Sequence, residues 1–276
     1  MAPMADLELL DCGDGRRLEQ FGTIVVDRPA PAAVMPAILT EKEWHRAPAS
    51  YGRGAWLHGA ELEPWTVRAG GLTLECRTAA GGQVGVFPDH AKTWTWLDGA
   101  VKRAADSLGR PPEVLSLFAY TGGASLISAK AGAKVAHVDA SKPAVAWARR
   151  NAELSALADR PIRWLVDDAR AFIRRERRRG HHYDGLVLDP PTYGHGNGAW
   201  QIETDLEPLL DDLAALVGPK PSFVLLSAHT PGYDGNRLAA LVREHLNVDA
   251  GGATLELLAR TGNVLRLGAW AHSPSR

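Results

Sequence analysis

Acidic residues end several apolar segments in the second half of this chain, and a carboxylate at such a position can act on a bound ligand. Asp139 closes "KVAHVDA", Asp167 and Asp168 close "IRWLVDD", and Asp189 follows "YDGLVL". Each segment is typical of a buried strand. Because the carboxyl ends of parallel strands meet at one edge of a sheet, the spacing predicts a ligand pocket lined by these carboxylates.

The stretch best suited to chemistry is Asp189-Pro190-Pro191-Thr192-Tyr193. An amino group on an aromatic ring is a poor nucleophile, because its lone pair is delocalised into the ring. Hydrogen-bond acceptors on its N–H groups free that lone pair, and the Asp189 carboxylate and the Pro190 carbonyl, held by the two prolines, can supply two of them. Tyr193 can stack on a base. The alternative is an ordinary strand-ending turn, since proline cannot continue a sheet.

The earlier strand ends indicate a nucleoside pocket. The Gly-containing turn "FAYTGG", Phe118–Gly123, allows close approach of its backbone to a ligand and opens a helix whose first N–H groups are free. Asp139, about 20 residues further on, suits a ribose hydroxyl, and the pair Asp167-Asp168 suits an adenine amino group. Helix N-capping is the alternative for each of these acids. Together with the turn, they predict a site for an adenosine-containing cofactor.

An alternation of strands and helices must position these residues. From Glu113 onward five strand-like segments alternate with helical ones, and "GATLELLAR" and "VLRLGAWAH" close the chain around the hairpin signal Thr261-Gly262-Asn263. Strands buried on both faces predict an α/β fold with a doubly wound, mostly parallel sheet, here of seven strands with the hairpin at one edge.

The part before residue 89 has a different character. It is rich in Gly, Pro and Trp, and "WTVRAGGLTLECRTAAGGQVGVF" suggests hairpins. We therefore predict a small β-rich or mixed N-terminal domain over residues 1–88 and a catalytic domain over residues 89–276.

Composition narrows the classes of protein. The chain has 276 residues, a formal net charge of −1 and two cysteines. These are too few cysteines for a disulfide framework or a Cys-rich zinc site, so no metal is predicted. No signal peptide and no apolar run of about 18 residues is present, which predicts a cytoplasmic protein without a membrane span. The sequence predicts no particular oligomeric state.

A cluster of cations, "RRERRRGHH" at Arg174–His182, stands out from the near-neutral whole. It is either a solvated helix end, whose cations suit the helix dipole, or a patch that binds RNA phosphates.

Four segments between Glu113 and Thr230 carry a family resemblance: "LSLFAYTGGASLISAKAGA", "VAHVDASKPAVAWARRNAELSAL", "WLVDDARAFI" and "YDGLVLDPPTYG". They resemble class I S-adenosylmethionine-dependent methyltransferases, with a Rossmann-like fold, and more narrowly the bacterial 23S rRNA base methyltransferases and their relatives. "GQVGVFPDHAKTWTWL", Gly82–Leu97, is similar to the family segment that touches the methionine end of the cofactor. The resemblance implies S-adenosylmethionine as cofactor, RNA, and specifically rRNA, as substrate, and a small molecule or a protein as the alternative acceptor.

The resemblance also assigns site residues. The catalytic set is Asp189, Pro190, Pro191 and Tyr193. The cofactor-binding set is Phe87, Asp89, Phe118, Tyr120, Thr121, Gly122, Gly123, Asp139, Ala140, Ser141, Asp167, Asp168, Ala169 and Asp189.

The positions of the cysteines and histidines bear on the atom that is methylated and on further candidate site residues. Methylation of cytosine at carbon needs a thiolate, but Cys12 and Cys76 both precede the catalytic sheet, which disfavours a 5-methylcytosine mechanism. His195 is a candidate general base or substrate contact, and His229 a candidate pocket residue. Two rival classes, a nicotinamide oxidoreductase and a non-catalytic adenosine-binding scaffold, are disfavoured by the missing GxGxxG and by the intact DPPTY motif.

Overall fold

The computed structural model describes residues 6–194, 200–217 and 221–273. The chain divides into two compact units. The first comprises the chain up to Lys92 together with Leu255–Leu267, and the second comprises Thr93–Thr254 and the chain from Gly268 onward. The domain boundary predicted between residues 88 and 89 stays a prediction.

The first unit is built on a five-stranded sheet in which the strands lie in chain order. Its strands are β1 (Leu7–Gly13), β2 (Arg16–Phe21), β3 (Ile24–Pro29), β4 (Ala49–Gly52) and β5 (Ala55–His58). Neighbouring strands are antiparallel except β3 and β4, which are parallel. A parallel pair needs a long connection, and the one between β3 and β4 contains the short helix α1 (Glu41–Trp44).

A separate two-stranded hairpin follows, formed by β6 (Trp65–Ala69) and β7 (Leu72–Cys76). Its turn, Gly70-Gly71, has φ of 61° and 74°, and positive φ at both central residues is the turn geometry that matches strand twist. The sequence suggested hairpins as far as Phe87. The described chain after Cys76 instead forms two short 3₁₀ turns, Ala80–Gly82 and Pro88–His90, before the next helix.

The predicted seven-stranded sheet is present, in the order β10-β9-β8-β11-β12-β14-β13. Its strands are β8 (Glu113–Leu117), β9 (Lys134–Asp139), β10 (Ile162–Val166), β11 (Gly185–Leu188), β12 (Phe223–Ala228), β13 (Gly251–Leu258) and β14 (Val264–His272). The five strands from β8 to β12 pair in parallel, and β14 pairs antiparallel with β12. The predicted α/β fold with a mostly parallel sheet and a β-rich N-terminal region is confirmed.

Helix α2 (Ala91–Leu108) precedes the parallel strands. The described chain continues with α3 (Gly123–Lys130), α4 (Lys142–Leu154), α5 (Ala169–Arg179) and α6 (Ile202–Val217) between those strands, and with α7 (Gly235–Leu246) after them. The main core packs strands of the sheet against α5, α6 and α7, and its fully buried members include Leu115, Leu186, Val224, Ile173, Leu210, Leu213 and Val242. Among the described residues, every helix falls short of the length and apolarity needed to cross a bilayer.

The strand order fixes where a ligand can bind. The chain runs outward from β8 to β9 and β10, then returns to place β11 on the other side of β8. Open parallel sheets bind ligands beyond the carboxyl ends of their strands at such a switch point. Here that place lies after Leu117 and Leu188, where the Gly-containing turn and the DPPTY motif begin.

Candidate active site

The turn after β8 has a strained backbone. Phe118 and Tyr120 have φ of 54° and 48°, in the left-handed region that non-glycine residues avoid, and Gly122 has φ of 88°. A non-glycine residue in this region costs on the order of 1 kcal/mol or more. Such strain persists where the surrounding structure imposes it and concentrates at ligand sites. The turn predicted to approach the cofactor therefore holds two non-glycine residues in an unfavourable conformation.

The helix that follows this turn begins without a side-chain cap. Gly122 is the N-cap residue of α3 and provides no side-chain hydrogen bond, whereas Ser141, Asp168 and Asp234 cap α4, α5 and α7. At Gly123 a Cβ atom would lie 2.3 Å from Cζ2 of Trp94, so this position requires glycine. An uncapped helix start offers N–H donors and partial positive charge to an anionic ligand group.

Asp139 joins the first two strand ends. Its Oδ2 accepts a hydrogen bond from the Tyr120 backbone N–H at 2.8 Å, and its Oδ1 accepts one from the Ser141 N–H at 2.8 Å. Burial raises the pKa of Asp139 above its ordinary value, and these two bonds partly lower it again. Each carboxylate oxygen has capacity for a second donor, so Asp139 can also accept from ribose hydroxyls.

Other residues of the predicted cofactor set have mainly structural contacts. The Thr121 carbonyl accepts a hydrogen bond from Nδ2 of Asn151 at 2.9 Å, which ties the turn to α4. The Ser141 hydroxyl accepts from the Ala144 N–H at 3.3 Å as the cap of α4. Ala140, between Asp139 and Ser141, is exposed. Capping of α4 by Ser141 leaves Asp139 for another role.

The two acids after β10 have local partners in α5. Asp168 caps this helix, since its Oδ1 accepts the Ala171 N–H at 2.9 Å. Asp167 forms an ion pair with Arg175, and Ala169, the first helical residue, is buried. For Asp168 the capping interpretation is thus correct. Its carboxylate is half exposed and keeps lone pairs for a further donor.

The carboxylate of Asp189 lies at the end of β11 and is held from the neighbouring strand. The Ser227 hydroxyl, on β12, donates to Oδ1 of Asp189 at 2.6 Å. Nε2 of His229 lies 3.9 Å from the same oxygen, so His229 also belongs to the rim of this site. The side chain of Asp189 is 33% exposed, so a ligand can reach it. Sequence reasoning missed Ser227, although a single hydroxyl in the apolar run "FVLLSA" is a detectable signal.

The prolines of the motif are fixed by Trp200. Its Nε1 donates to the Pro191 carbonyl at 2.7 Å, and its ring packs against that of Phe118 with centroids 4.8 Å apart. Trp200 is buried, at 6% exposure. Trp200 therefore contacts both the DPPTY motif and the turn Phe118–Gly123, which is called the cofactor turn below because it is predicted to approach the cofactor. No described residue donates a hydrogen bond to the Pro190 carbonyl.

The last part of the motif leaves the sheet toward solvent. The Thr192 hydroxyl hydrogen-bonds that of Thr230 at 2.7 Å, again linking the motif to the segment after β12. Tyr193 forms an isolated bridge with Gln201 and is 65% exposed. An exposed ring on a fixed backbone is available for stacking. His195 lies outside the described residues, and its role stays a prediction.

Phe87 and Asp89 belong to the first unit. The ring of Phe87 lies edge-on to that of His90, with centroids 6.2 Å apart, and Asp89 is 3% exposed. The same unit buries an ion cluster in which Glu19 pairs with Arg28 at 2.6 Å and with Arg17 at 3.3 Å. Burial opposes ionisation of Glu19, but the two guanidinium groups outweigh it and lower its pKa. Arg28 also donates to the Gly82 carbonyl at 3.2 Å, so this cluster supports the start of the Gly82–Leu97 segment.

The basic run on α5 is largely neutralised. Arg175 pairs with Asp167, Arg177 with Asp212 and Arg179 with Glu176. The acidic helix α6 supplies Asp212 and also Asp205, which pairs with Arg170 at 2.9 Å. Arg174 and Arg178 are exposed and have no acidic partner among the described residues. The solvated-face interpretation therefore accounts for most of this run.

Within the second unit, the structure brings the predicted residues into two connected groups. One consists of the cofactor turn with Asp139 and Ser141, and the other of the DPPTY motif with Ser227 and Trp200. Trp200 contacts both through Phe118. A strained turn, an uncapped helix start and a carboxylate with spare acceptor capacity suit an adenosine cofactor with an anionic end, and an acid at the neighbouring strand end suits chemistry beside it.

This fold and site define a methyltransferase of the Rossmann-like class. The model of the S-adenosylmethionine-dependent methyltransferase family matches residues 12–237, and the chain belongs to that family. The predicted family and cofactor are thereby confirmed, since S-adenosylmethionine is the methyl donor of these enzymes.

Individual relatives agree with this assignment. A crystallised S-adenosylmethionine-dependent methyltransferase from Agrobacterium tumefaciens is 35% identical, with a TM-score of 0.89 over 98% of this chain and 91% of its own. Ribosomal RNA large subunit methyltransferase I from Aeromonas salmonicida (strain A449) is 28% identical over 75% of this chain, which spans only 51% of that relative. SMU.776, solved in complex with S-adenosylhomocysteine, shares the fold with a TM-score of 0.74 at 16% identity, over 99% of this chain and 76% of its own.

Proposed function

We propose that this protein transfers the methyl group of S-adenosylmethionine to a nitrogen atom of a ribosomal RNA base. The observation that carries the proposal is the accessible carboxylate of Asp189, fixed at the switch point of the sheet by Ser227. It stands beside a turn and an acid that suit the cofactor. The ribosomal RNA acceptor is supported by the name of the Aeromonas relative and agrees with the cytoplasmic location predicted from the sequence.

The residues of the chain have separate tasks in this reaction. When bound, the cofactor supplies a methyl group made electrophilic by its sulfonium. Asp139 holds the ribose, and the uncapped start of α3 with the strained turn holds the anionic end. Asp189 and the Pro190 carbonyl accept hydrogen bonds from the N–H groups of the base, which localises the nitrogen lone pair. Methylation of this nitrogen would break the sulfur–methyl bond, leave S-adenosylhomocysteine as the second product, and release one N–H proton to solvent.

Nitrogen is favoured over carbon as the acceptor because no thiolate is available. The two cysteines of the chain, Cys12 and Cys76, lie in the first unit and are fully buried. Burial raises the pKa of Cys76 to about 12 and also raises that of Cys12. A buried thiol of this kind does not attack a pyrimidine ring near neutral pH. Transfer to a nitrogen needs no covalent intermediate.

The test is methyl transfer from tritiated S-adenosylmethionine to 23S rRNA transcribed in vitro. Asp189→Ala should lower the rate by about 100-fold or more, because one preorganised acceptor is lost in the transition state. Affinity for S-adenosylhomocysteine should change much less. Asp189→Asn should keep partial activity, because an amide oxygen still accepts a hydrogen bond.

Asp211→Ala is the matched control. This acid lies on α6, where it pairs with His245 at 2.7 Å, outside the candidate site. Its loss should leave the transfer rate unchanged. Transfer by Asp189→Ala at the parent rate would remove the amine-activation mechanism. Labelling of a protein or small-molecule fraction, with none of the RNA, would transfer the proposal to the alternative acceptors.

A further inference from the structure

Ser227 is a polar residue in an otherwise apolar strand. All six residues of β12 are buried, and Ser227 is 2% exposed. Its Oγ lies 2.6 Å from Oδ1 of Asp189 and 3.3 Å from the Leu188 carbonyl oxygen. A hydroxyl has a single proton to donate, and the short distance to a charged acceptor assigns that proton to the carboxylate.

We propose that Ser227 is a positioning residue that sets the orientation of the Asp189 carboxylate toward the acceptor nitrogen. This inference rests on the proposed methyl transfer to nitrogen. The torsion that rotates a carboxylate has broad, roughly two-fold preferences, so an unheld Asp side chain adopts several orientations. A hydrogen bond to Oδ1 from a buried strand selects one of them and thereby fixes the direction of Oδ2.

The sheet itself places the two residues side by side. Strands β11 and β12 are parallel neighbours, with Leu188 opposite Leu226. Asp189 directly follows β11 and Ser227 is the next residue of β12, so the two residues lie at the same level. A support that comes from a central strand is more rigid than one from a loop, and displacement of a reacting group by about 1 Å can reduce a rate on the order of 100-fold.

The amide variant of Asp189 gives this role a specific signature. In Asp189→Asn, the Ser227 hydroxyl can accept a hydrogen bond from the amide NH₂, which turns the amide oxygen toward the acceptor amine. The opposite orientation would place two donors against each other. Without the Ser227 hydroxyl the amide NH₂ loses its acceptor, so the amide is held less firmly in this orientation. The effect of removing Ser227 should therefore differ between the Asp and Asn backgrounds, which a double-mutant cycle measures.

The experiment compares the parent protein, Ser227→Ala, Asp189→Asn and the double variant in single-turnover methyl transfer to 23S rRNA transcribed in vitro. Ser227→Ala should lower the rate about tenfold to 100-fold, with little change in the affinity for S-adenosylhomocysteine. Ser227→Thr, which keeps the hydroxyl, should recover most of the rate. Ser128→Ala is the control, because this buried hydroxyl donates only to the Ala124 carbonyl, at 2.9 Å within α3.

A crystal structure of Ser227→Ala tests the orientation of the Asp189 carboxylate without a measurement of methyl transfer. The Asp189 carboxylate should rotate or occupy two orientations. A carboxylate that keeps its orientation, or a parent rate in Ser227→Ala, overturns the positioning role. Strictly additive effects in the cycle overturn it as well. Should the parent protein methylate no RNA, the proposed function fails, and the carboxylate orientation in the variant crystal still decides the role of Ser227.

Discussion

His137 should make the second unit sensitive to acid directly beneath the cofactor turn. This histidine lies on β9 with 0% exposure, and its Nδ1 is 3.0 Å from the Ser125 hydroxyl of α3. Its ring packs on Trp164, with centroids 4.9 Å apart. No described group accepts a hydrogen bond from Nε2. Protonation would therefore place a charged N–H without an acceptor in the core, between the sheet and the helix that begins at Gly123.

The free energy of unfolding that is lost on acidification can be calculated from the pKa of His137. Burial, with a smaller contribution from Arg149, lowers the pKa of His137 from 6.5 to about 3. Between pH 6.5 and about 3, His137 is protonated in the unfolded chain but neutral in the folded protein. The free energy of unfolding therefore rises with pH and falls on acidification. Each pH unit corresponds to about 1.4 kcal/mol. At pH 5, 1.5 units below the ordinary value, the loss is about 2 kcal/mol.

The assay is urea unfolding at several pH values between 7 and 5, for the parent protein and for His137→Asn. Asparagine keeps a polar atom near the position of Nδ1 but does not titrate. The smaller side chain lowers stability at every pH, so the comparison concerns the slope and not the absolute free energy of unfolding. His272, whose pKa burial also lowers, is present in both proteins and cancels in the difference. The parent should lose about 2 kcal/mol more than the variant between pH 7 and 5.

Equal pH slopes for the two proteins would refute this reasoning. They would mean that His137 takes up its proton in the folded state at its ordinary pKa, through an opening of the core that the structure does not contain. A steeper loss in His137→Asn would also contradict it.

Three further predictions concern other parts of the molecule. Asp139→Ala should weaken S-adenosylhomocysteine binding by about 2 kcal/mol in calorimetry, and unchanged affinity would remove Asp139 from the site. In the parent protein, binding should weaken as pH falls through the raised pKa of Asp139, because the ligand hydroxyls need an ionised acceptor. Trp200→Phe should keep the contact with Phe118 but lose the bond to Pro191, lowering the methyl-transfer rate more than cofactor affinity; an equal loss of both would make Trp200 a packing residue only. Glu19→Gln should destabilise the protein by about 3 kcal/mol in urea unfolding, because Arg17 and Arg28 remain buried without their anion, whereas a neutral effect would mean that water reaches the cluster.

The arrangement of the sheet could be predicted because buried parallel strands have a recognisable sequence pattern, an apolar segment between turn residues. The residues of β8, β9, β11 and β12 are mostly apolar and mostly buried, as expected of strands covered on both faces. The strands of the first unit were harder to predict from the sequence. Its strands are short, and the Gly-rich stretch after Cys76 alternates like a hairpin yet forms 3₁₀ turns, since periodicity alone does not specify a pairing partner.

The acids at the strand ends show where sequence reasoning loses resolution. A helix cap and a ligand acceptor require the same residue types at the same place. After β9 the Ser141 hydroxyl caps the helix, so Asp139 is left for the turn and a ligand, whereas after β10 Asp168 itself is the cap. Pro143, in the first turn of α4, fixes where that helix begins and could have identified Ser141 as the cap.

Partners distant in sequence explain the remaining differences. The sequence left a phosphate-binding patch open as an alternative to a solvated helix end, because one acid that neutralises the run, Asp212 on α6, lies 35 positions beyond its partner Arg177. The same limitation hid one support of the DPPTY motif, Ser227, which lies 38 positions beyond Asp189. In the proposed mechanism the motif contains the groups that act on an amine, whereas Ser227 is joined to it only by the fold. A chain with DPPTY but without a donor beside Asp189 would have the same motif and a less ordered carboxylate. The motif therefore predicts the type of reaction, and in our proposal the hydroxyl on the neighbouring strand orients the carboxylate that takes part in it.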